Sequence, residues 1–200
     1  MSKKFDVLNK EIVYSGFFRL EKYRLKHTLF AGGWSDEIVR ELFVRGSCIA
    51  VLLYDPVSDE VVLIEQFRIG ALAKPERAWL IEIVAGAIED GESAEEVAYR
   101  ESLEEAGCEI QELSVICEFY TTPGACAERI TLFYGKVDSR KVGGIHGLDH
   151  EGEDILVRSV PFPEVFRMLQ EGLIESAIPI IAIQWLAINR EHLRMSPGSC

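Results

Sequence analysis

The chain has 200 residues, 48% of them apolar, and carries 33 Asp plus Glu against 21 Lys plus Arg for a formal charge of −12. That apolar share excludes a disordered chain, and at roughly 100–200 residues per domain the length allows one full domain with a small extension. The acidic balance argues against binding to nucleic acid or to an anionic membrane, because a polyanion needs a basic footprint.

No apolar run approaches the roughly 18 residues of a membrane span, and the charged start Met1-Ser2-Lys3-Lys4 has no apolar stretch behind it, unlike a secretory leader. Cys48, Cys108, Cys117, Cys126 and Cys200 are odd in number, scattered and never spaced Cys-x-x-Cys. Such cysteines fit reduced thiols in a cytoplasm better than a disulfide framework or a zinc site.

Residues 11–45 read as extended segments rich in Tyr, Phe, Val and Leu, interrupted at Ala31-Gly32-Gly33-Trp34, where two glycines supply a turn. A small antiparallel sheet is therefore expected over residues 1–45, followed by a main domain over 46–200. In the main domain, Cys48 to Tyr54 and Val61 to Ile64 are continuous apolar runs split by the turn Asp55-Pro56-Val57-Ser58-Asp59, as in strands covered on both faces. Further strands are expected over 79–84, 113–120, 131–137 and 154–160, and helices over 94–106, 163–171 and 177–189. Ile180, Ile181, Ile183, Trp185, Leu186 and Ile188 give the last helix a broad apolar band suited to packing on the sheet. Residues 195–200 are expected to fray.

The most informative stretch is 86–107. Ser93 with Glu96 three residues on is a capping box, and Gly107 is the residue type that ends helices in the left-handed conformation, so the helix carries its own bounds. At about 100° per residue, Glu101, Glu104 and Glu105 share one face, while Tyr99, Leu103 and Ala106 point the opposite way, toward an expected core. Like charges at these spacings cost roughly 0.2–0.5 kcal/mol per pair. No Lys lies in the helix to offset them, so something cationic should occupy that face.

Gly86, five residues, Glu92, seven residues, Arg100-Glu101, two residues, Glu104-Glu105, one residue and Gly107 form a pattern that resembles the Nudix box. Two positions that the family usually fills with aliphatic residues hold Ser102 and Cys108 here. The chemistry also accounts for the spacing, because carboxylates one helical turn apart can hold Mg²⁺, which keeps waters and accepts phosphate oxygens. The resemblance implies an α+β Nudix fold, an α/β/α sandwich with a mixed sheet, behind the small N-terminal β-domain. It implies Glu101, Glu105 and the Ala85 carbonyl as ligands of Mg²⁺, with Mn²⁺ as a substitute, and Glu104 as a supporting or base-like residue. Arg100 either orients these carboxylates or makes a surface salt bridge.

Outside the box, Pro123 in Thr121-Thr122-Pro123-Gly124, together with Phe17-Phe18, Arg40-Glu41, Val62–Arg68, Glu82–Gly86 and His146–Asp149, is similar to the bacterial ADP-ribose pyrophosphatase branch of that family. That similarity implies hydrolysis of ADP-ribose to AMP and ribose 5-phosphate by a cytoplasmic homodimer with exchanged N-terminal domains. Phe17 or Phe18 would stack on adenine with Arg40 covering the other side, or else form an ordinary strand pair, one residue in the core and one at the surface. Glu41 would accept from the adenine amino group. Arg45 and Arg68 would pair with phosphate, or else make edge-strand salt bridges. Glu128 would bind the terminal ribose or stay solvated, and Ala87, Pro123 and Gly124 complete the substrate-binding set.

The glycine-rich acidic segment Gly143 to Asp154 reads as a mobile loop at the site, in which the resemblance makes Glu151 the general base and Glu153 a further metal ligand. The competing expectations are hydrolysis of another nucleoside diphosphate sugar such as GDP-mannose, hydrolysis of a nucleoside triphosphate, or a non-catalytic ADP-ribose-binding module. Retention of Arg100, Glu101, Glu104 and Glu105 speaks against the last, since a sensor has no use for three repelling carboxylates.

Overall fold

The computed structural model describes residues 2–148, 150 and 152–195. Glu151 and residues 196–200 therefore lie outside the described residues, and with them the expected base and most of the expected frayed end. The chain divides into two compact units, Met1–Ser47 with Phe119–Arg129, and Cys48–Glu118 with Ile130–Cys200.

The first unit is a three-stranded antiparallel sheet of β1 (Phe5–Ser15), β2 (Arg19–His27) and β3 (Ile38–Val44), in that order. β1 begins before residue 11, where the sequence reading put the first extended segment. Its pairing with β2 slips at Val7/Asn9 and at Ile12/Tyr14, and such bulges scramble the two-residue period by which a strand is recognised. The segment 119–129 joins this unit by pairing with β3. The Phe43 amide donates to the Ala125 carbonyl (2.8 Å), and the Ala127 amide to the Phe43 carbonyl (3.0 Å).

The second unit is built on an eight-stranded sheet whose main path is β10 (Gly144–His146), β11 (Ile155–Pro161), β5 (Glu60–Phe67), β4 (Ser47–Asp55), β9 (Arg129–Lys136) and β8 (Glu112–Tyr120). β6 (Trp79–Glu82) pairs with β5, and β7 (Val84–Ala87) pairs with β4. The apolar run expected as one strand over 79–84 thus breaks at Ile83 and serves two partners. In β4 every residue from Cys48 to Asp55 is buried, the burial that its unbroken apolar run implied.

Helix α1 (Ala94–Ala106) covers one face, where Val97 and Ala98 pack with Ile49, Val51, Val62, Ile64, Val84 and Phe133. The neighbouring Tyr134 turns the other way and meets Trp185 of α3 (Ala177–Met195), with ring centroids 6.1 Å apart. α2 (Phe162–Gln170) packs with α3 and with β5 and β11. α3 continues through Met195, past the expected end at 189, because its last turns have a partner in the β4–β5 turn. There Asp59 takes the αL conformation (φ 62°) and accepts hydrogen bonds from Tyr54 Oη (2.7 Å) and Arg190 Nε (2.6 Å), with Arg194 2.9 Å away. Although burial works the other way, Arg190, Tyr54 and Arg194 hold the Asp59 carboxyl below the usual carboxylate range.

Candidate active site

The bounds of α1 are those of the sequence reading. Ser93 Oγ accepts from the Glu96 amide (3.2 Å), Glu96 Oε2 accepts from the Ser93 amide (2.8 Å), and Gly107 closes the helix in the αL conformation (φ 62°). The orientation differs from expectation. Tyr99 and Leu103 are exposed, and the buried arc holds Val97, Ala98, Ser102, Glu105 and Ala106. Ala106 faces inward as expected, and of the three acids Glu105 joins it there while Glu101 and Glu104 stay partly exposed; where the helix meets β7 the approach is close enough to favour small residues and an extended carboxylate.

Gly86 shows how close. A Cβ built on it would lie 2.1 Å from Glu101 Oε1, so the glycine is the opening through which Glu101 reaches the strand. Glu105 Oε2 accepts from the Ala85 amide at 3.0 Å, at the same strand whose Ala85 carbonyl is an expected ligand. Ala85 pairs with Ala50 and Ala87 with Cys48 in the register of β7 on β4, and Ala87 is exposed at the end of its strand.

Burial pushes the Glu105 carboxyl up to about 8, against the lowering by the Ala85 amide and with help from the charges of Glu101 and Glu153. Burial likewise raises Glu101 to about 6; Arg100 opposes the rise, and Glu104 and Glu153 add to it. The third member of this group, Glu153, comes from the segment after β10. Glu101 and Glu105, raised by burial first and by neighbouring acid charges second, are hard oxygen donors of the kind that suit a divalent cation. Among the described residues no three acidic, His or Cys side chains are already gathered as a cation cage.

Arg100 lies against these carboxylates, as the first of its two expected readings has it. Its Nη1 donates to Glu101 Oε1 (2.9 Å) and Glu104 Oε2 (3.0 Å), and its Nε to Glu92 Oε1 (3.2 Å). Burial works against this charge, but Glu92, Glu101 and Glu104 raise the guanidinium pKa above its ordinary value. The role of Glu92 was visible only as a fixed position in the spacing. Glu92 also accepts from the Glu89 amide (3.1 Å), which fixes the turn ahead of the helix. Arg68, expected at phosphate, donates from Nε to Glu82 Oε2 (2.7 Å), and its positive charge bears on Glu105.

In the first unit, the rings of Phe17 and Phe18 meet edge to face at 4.7 Å, and Phe18 meets Phe43 at 5.0 Å. Arg45 lies over Phe18, 5.6 Å from the centroid, and pairs with Glu128 at 3.1 Å. Phe17, Phe18, Arg45 and Glu128 are thus brought together, with Phe43 as a member that the sequence reading missed. Glu128 is only 12% exposed, so it is no solvated loop carboxylate. Pro123 and Gly124 sit in the exposed turn whose Cys126 amide donates to Thr122 O.

Within one chain Arg40 does not join this cluster. It is opposite Tyr23 in the β2–β3 register, whereas Phe43 is opposite Leu20, and the odd spacing of 40 and 43 puts the two on opposite sheet faces. Arg40 Nη1 donates instead to the Val39 carbonyl (2.7 Å). Glu41 is exposed opposite Lys22.

Residues 44–181 match the model of the NUDIX domain. The chain is 44% identical over 194 residues to an ADP-ribose pyrophosphatase of Haemophilus influenzae, covering 96% of this chain and 89% of that protein. It is 31% identical over 192 residues to a GDP-mannose pyrophosphatase of Yersinia enterocolitica, covering 94% and 98%. A crystal structure described as an ADP compounds hydrolase superposes with a TM-score of 0.71 at 20% identity, covering 96% of this chain and 97% of that one. With the box residues gathered on β7 and α1 and the domain match spanning most of the sequence, the chain belongs to the Nudix hydrolase family.

Proposed function

We propose that the protein hydrolyses the pyrophosphate bond of ADP-ribose to AMP and ribose 5-phosphate, with Mg²⁺ as the metal and Mn²⁺ as a substitute. Nudix hydrolases generally use a divalent metal; the observation that carries its assignment here is the geometry of the β7–α1 contact, where Glu105 accepts from the Ala85 amide and Gly86 leaves room for Glu101, both carboxyls being raised chiefly by burial. Glu101, Glu105 and Glu153, with the Ala85 carbonyl, would hold the cation. When bound, it supplies charge neutralisation at the pyrophosphate and a lowered pKa for attacking water.

The chain's own residues do the rest. Arg100 fixes the rotamers of Glu101 and Glu104, so the ligand face is set before substrate arrives. Glu151, outside the described residues, accepts the proton of the attacking water, and Glu104 is the competing base. Arg68 offers a guanidinium to phosphate near Glu105, and Arg45 does so beside Phe18. Phe17 and Phe18 give adenine an aromatic face, Arg40 and Glu41 contact the base, Glu128 binds the terminal ribose, and Ala87, Pro123 and Gly124 line the substrate.

The greater identity to an ADP-ribose pyrophosphatase than to a GDP-mannose pyrophosphatase supports ADP-ribose over GDP-mannose. We assign the N-terminal β-domain, about residues 1–45, to dimerisation and substrate binding, the hydrolase chemistry to 46–200, and the protein to the cytoplasm as a homodimer with exchanged N-terminal domains. Among the described residues no helix is long and apolar enough to cross a membrane. Product analysis with ADP-ribose, GDP-mannose and a triphosphate panel in Mg²⁺ tests the substrate. AMP and ribose 5-phosphate should form fastest, and faster turnover of GDP-mannose or a triphosphate would overturn the assignment.

A further inference from the structure

Gly107 ends α1, but its bare Cα also receives a side chain. A Cβ on Gly107 would lie 2.6 Å from Cε1, 3.2 Å from Nδ1 and 3.4 Å from Nε2 of His146. The imidazole therefore fills the place that any other residue type at the helix end would claim. His146 Nε2 lies 3.1 Å from the Gly143 carbonyl, which can only accept, so Nε2 carries the proton.

The next residue ties the backbone to the same helix. The last four carbonyls of an α-helix lack intrahelical donors, and one of them, Glu104 O, accepts from the Gly147 amide at 3.4 Å. Gly147 has φ +102°, and a Cβ there would lie 2.7 Å from the Glu153 Cβ. Glu153 closes the segment onto Leu148 twice: its Oε2 accepts from the Leu148 amide (3.2 Å), and its own amide donates to the Leu148 carbonyl (3.3 Å). One line of contacts thus runs from Gly107 through His146 and Gly147 to Glu153, the acid whose charge acts on Glu101 and Glu105.

We propose that His146 is a positioning residue, seated on Gly107, that holds the segment bearing Glu153 to the end of α1 and so sets the third carboxylate of the metal-binding group. The proposal rests on the metal assignment made above. It gives the box's final glycine a second task besides ending the helix. In this role His146 acts through Gly147 and Glu153.

The test uses the full chain with Mg²⁺ or Mn²⁺ alone, titrated by calorimetry, beside amide exchange at Gly147 and Leu148 and the Mg²⁺ dependence of turnover. Supporting groups around a metal site typically carry about 10–100-fold in affinity or activity. His146→Ala should weaken metal binding by that order, speed exchange at Gly147 and Leu148, and be partly rescued by excess Mg²⁺. His146→Phe keeps a flat ring on Gly107 without the hydrogen bond to Gly143, so it should recover part of the loss and guards against a failure to fold. Glu105→Gln is the control: if wild-type protein and Glu105→Gln titrate alike, the metal assignment fails. If Glu105→Gln loses binding while His146→Ala binds metal and protects its amides like the wild type, the metal assignment stands and the role of His146 is refuted.

Discussion

β4 and β1 are both long strands rich in branched and aromatic residues, yet β4 is buried from Cys48 to Asp55 and β1 is exposed along its whole length. Strand propensity describes fitness for a pleated, half-covered surface and says nothing about where the cover comes from. β4 takes its cover from its own chain. β1 leaves Phe5, Val7, Ile12, Val13 and Tyr14 open, the kind of apolar surface that marks an interaction site in a soluble protein. The contrast fits the proposed division of labour, with chemistry on the self-covered sheet and assembly and recognition on the open one.

The strongest test of that division is kinetic. Glu151→Gln should lower kcat by about 10²–10⁴-fold, the usual contribution of a general base, while ADP-ribose still binds. Glu104→Gln, measured alongside, should keep most turnover; the reverse result would move the base to the helix.

Next comes the stability of the covered strand. Leu53 is fully buried, and Leu53→Ala should cost about 2–5 kcal/mol in urea unfolding. A loss below about 1 kcal/mol would mean that β4 is less tightly packed than its burial implies.

The acidic face of α1 should leave a mark on stability against pH. An acid whose pKa is raised by folding contributes nothing while protonated in both states, below its ordinary value of 4.5, and destabilises the fold once ionised. Metal-free protein should therefore lose stability, on the order of a few kcal/mol, as pH rises from about 4.5 through about 8, the value to which Glu105 is pushed. Unfolding in chelator across this range checks it; Glu105→Gln should flatten the slope, and Mg²⁺ should offset it.

On the open strand, replacing Ile12 by Asp should separate the proposed dimer in sedimentation velocity while changing the intrinsic stability of the hydrolase unit by no more than about 0.5 kcal/mol, as for a surface change. A dimer that survives would place its interface elsewhere. The smallest effect expected is in recognition. Arg40→Ala should raise KM for ADP-ribose by about 2–30-fold, equivalent to losing roughly 0.5–2 kcal/mol of cation–π contact. A fall in kcat at constant KM would instead put the arginine in the chemistry.

How much of this was legible in the sequence depended on whether the signal was local. The bounds of α1 were legible because Ser93, Glu96 and Gly107 write them into neighbouring residues. The face that α1 buries was not, because Tyr99 and Leu103 carry more apolar surface than the small residues that in fact pack beneath it. A helicity pattern weighs hydrophobicity, whereas the close approach at Gly86 selects for size. Arg100 was legible as a residue of the box, but its three carboxylate partners needed geometry. The continuation of α3 to Met195 depended on Asp59, far away in sequence, and no local window contains that pairing. In the first unit, Phe17, Phe18, Arg45 and Glu128 could be nominated singly, but their gathering around Phe43 follows from strand register.

The turn at Asp59 has a consequence for the order in which the protein is made. Arg190 lies 131 residues downstream of the aspartate it holds. At about 5–20 residues per second, a ribosome that has just added Asp59 needs roughly 7–26 seconds to add that partner. For that interval Asp59 has Tyr54 of the same hairpin as a partner but neither arginine, so one of the earliest turns of the hydrolase unit is among the last to be completed. Asp59→Asn, which tolerates the same backbone but weakens the clasp, would leave the nascent hairpin intact and loosen only the final closure by α3.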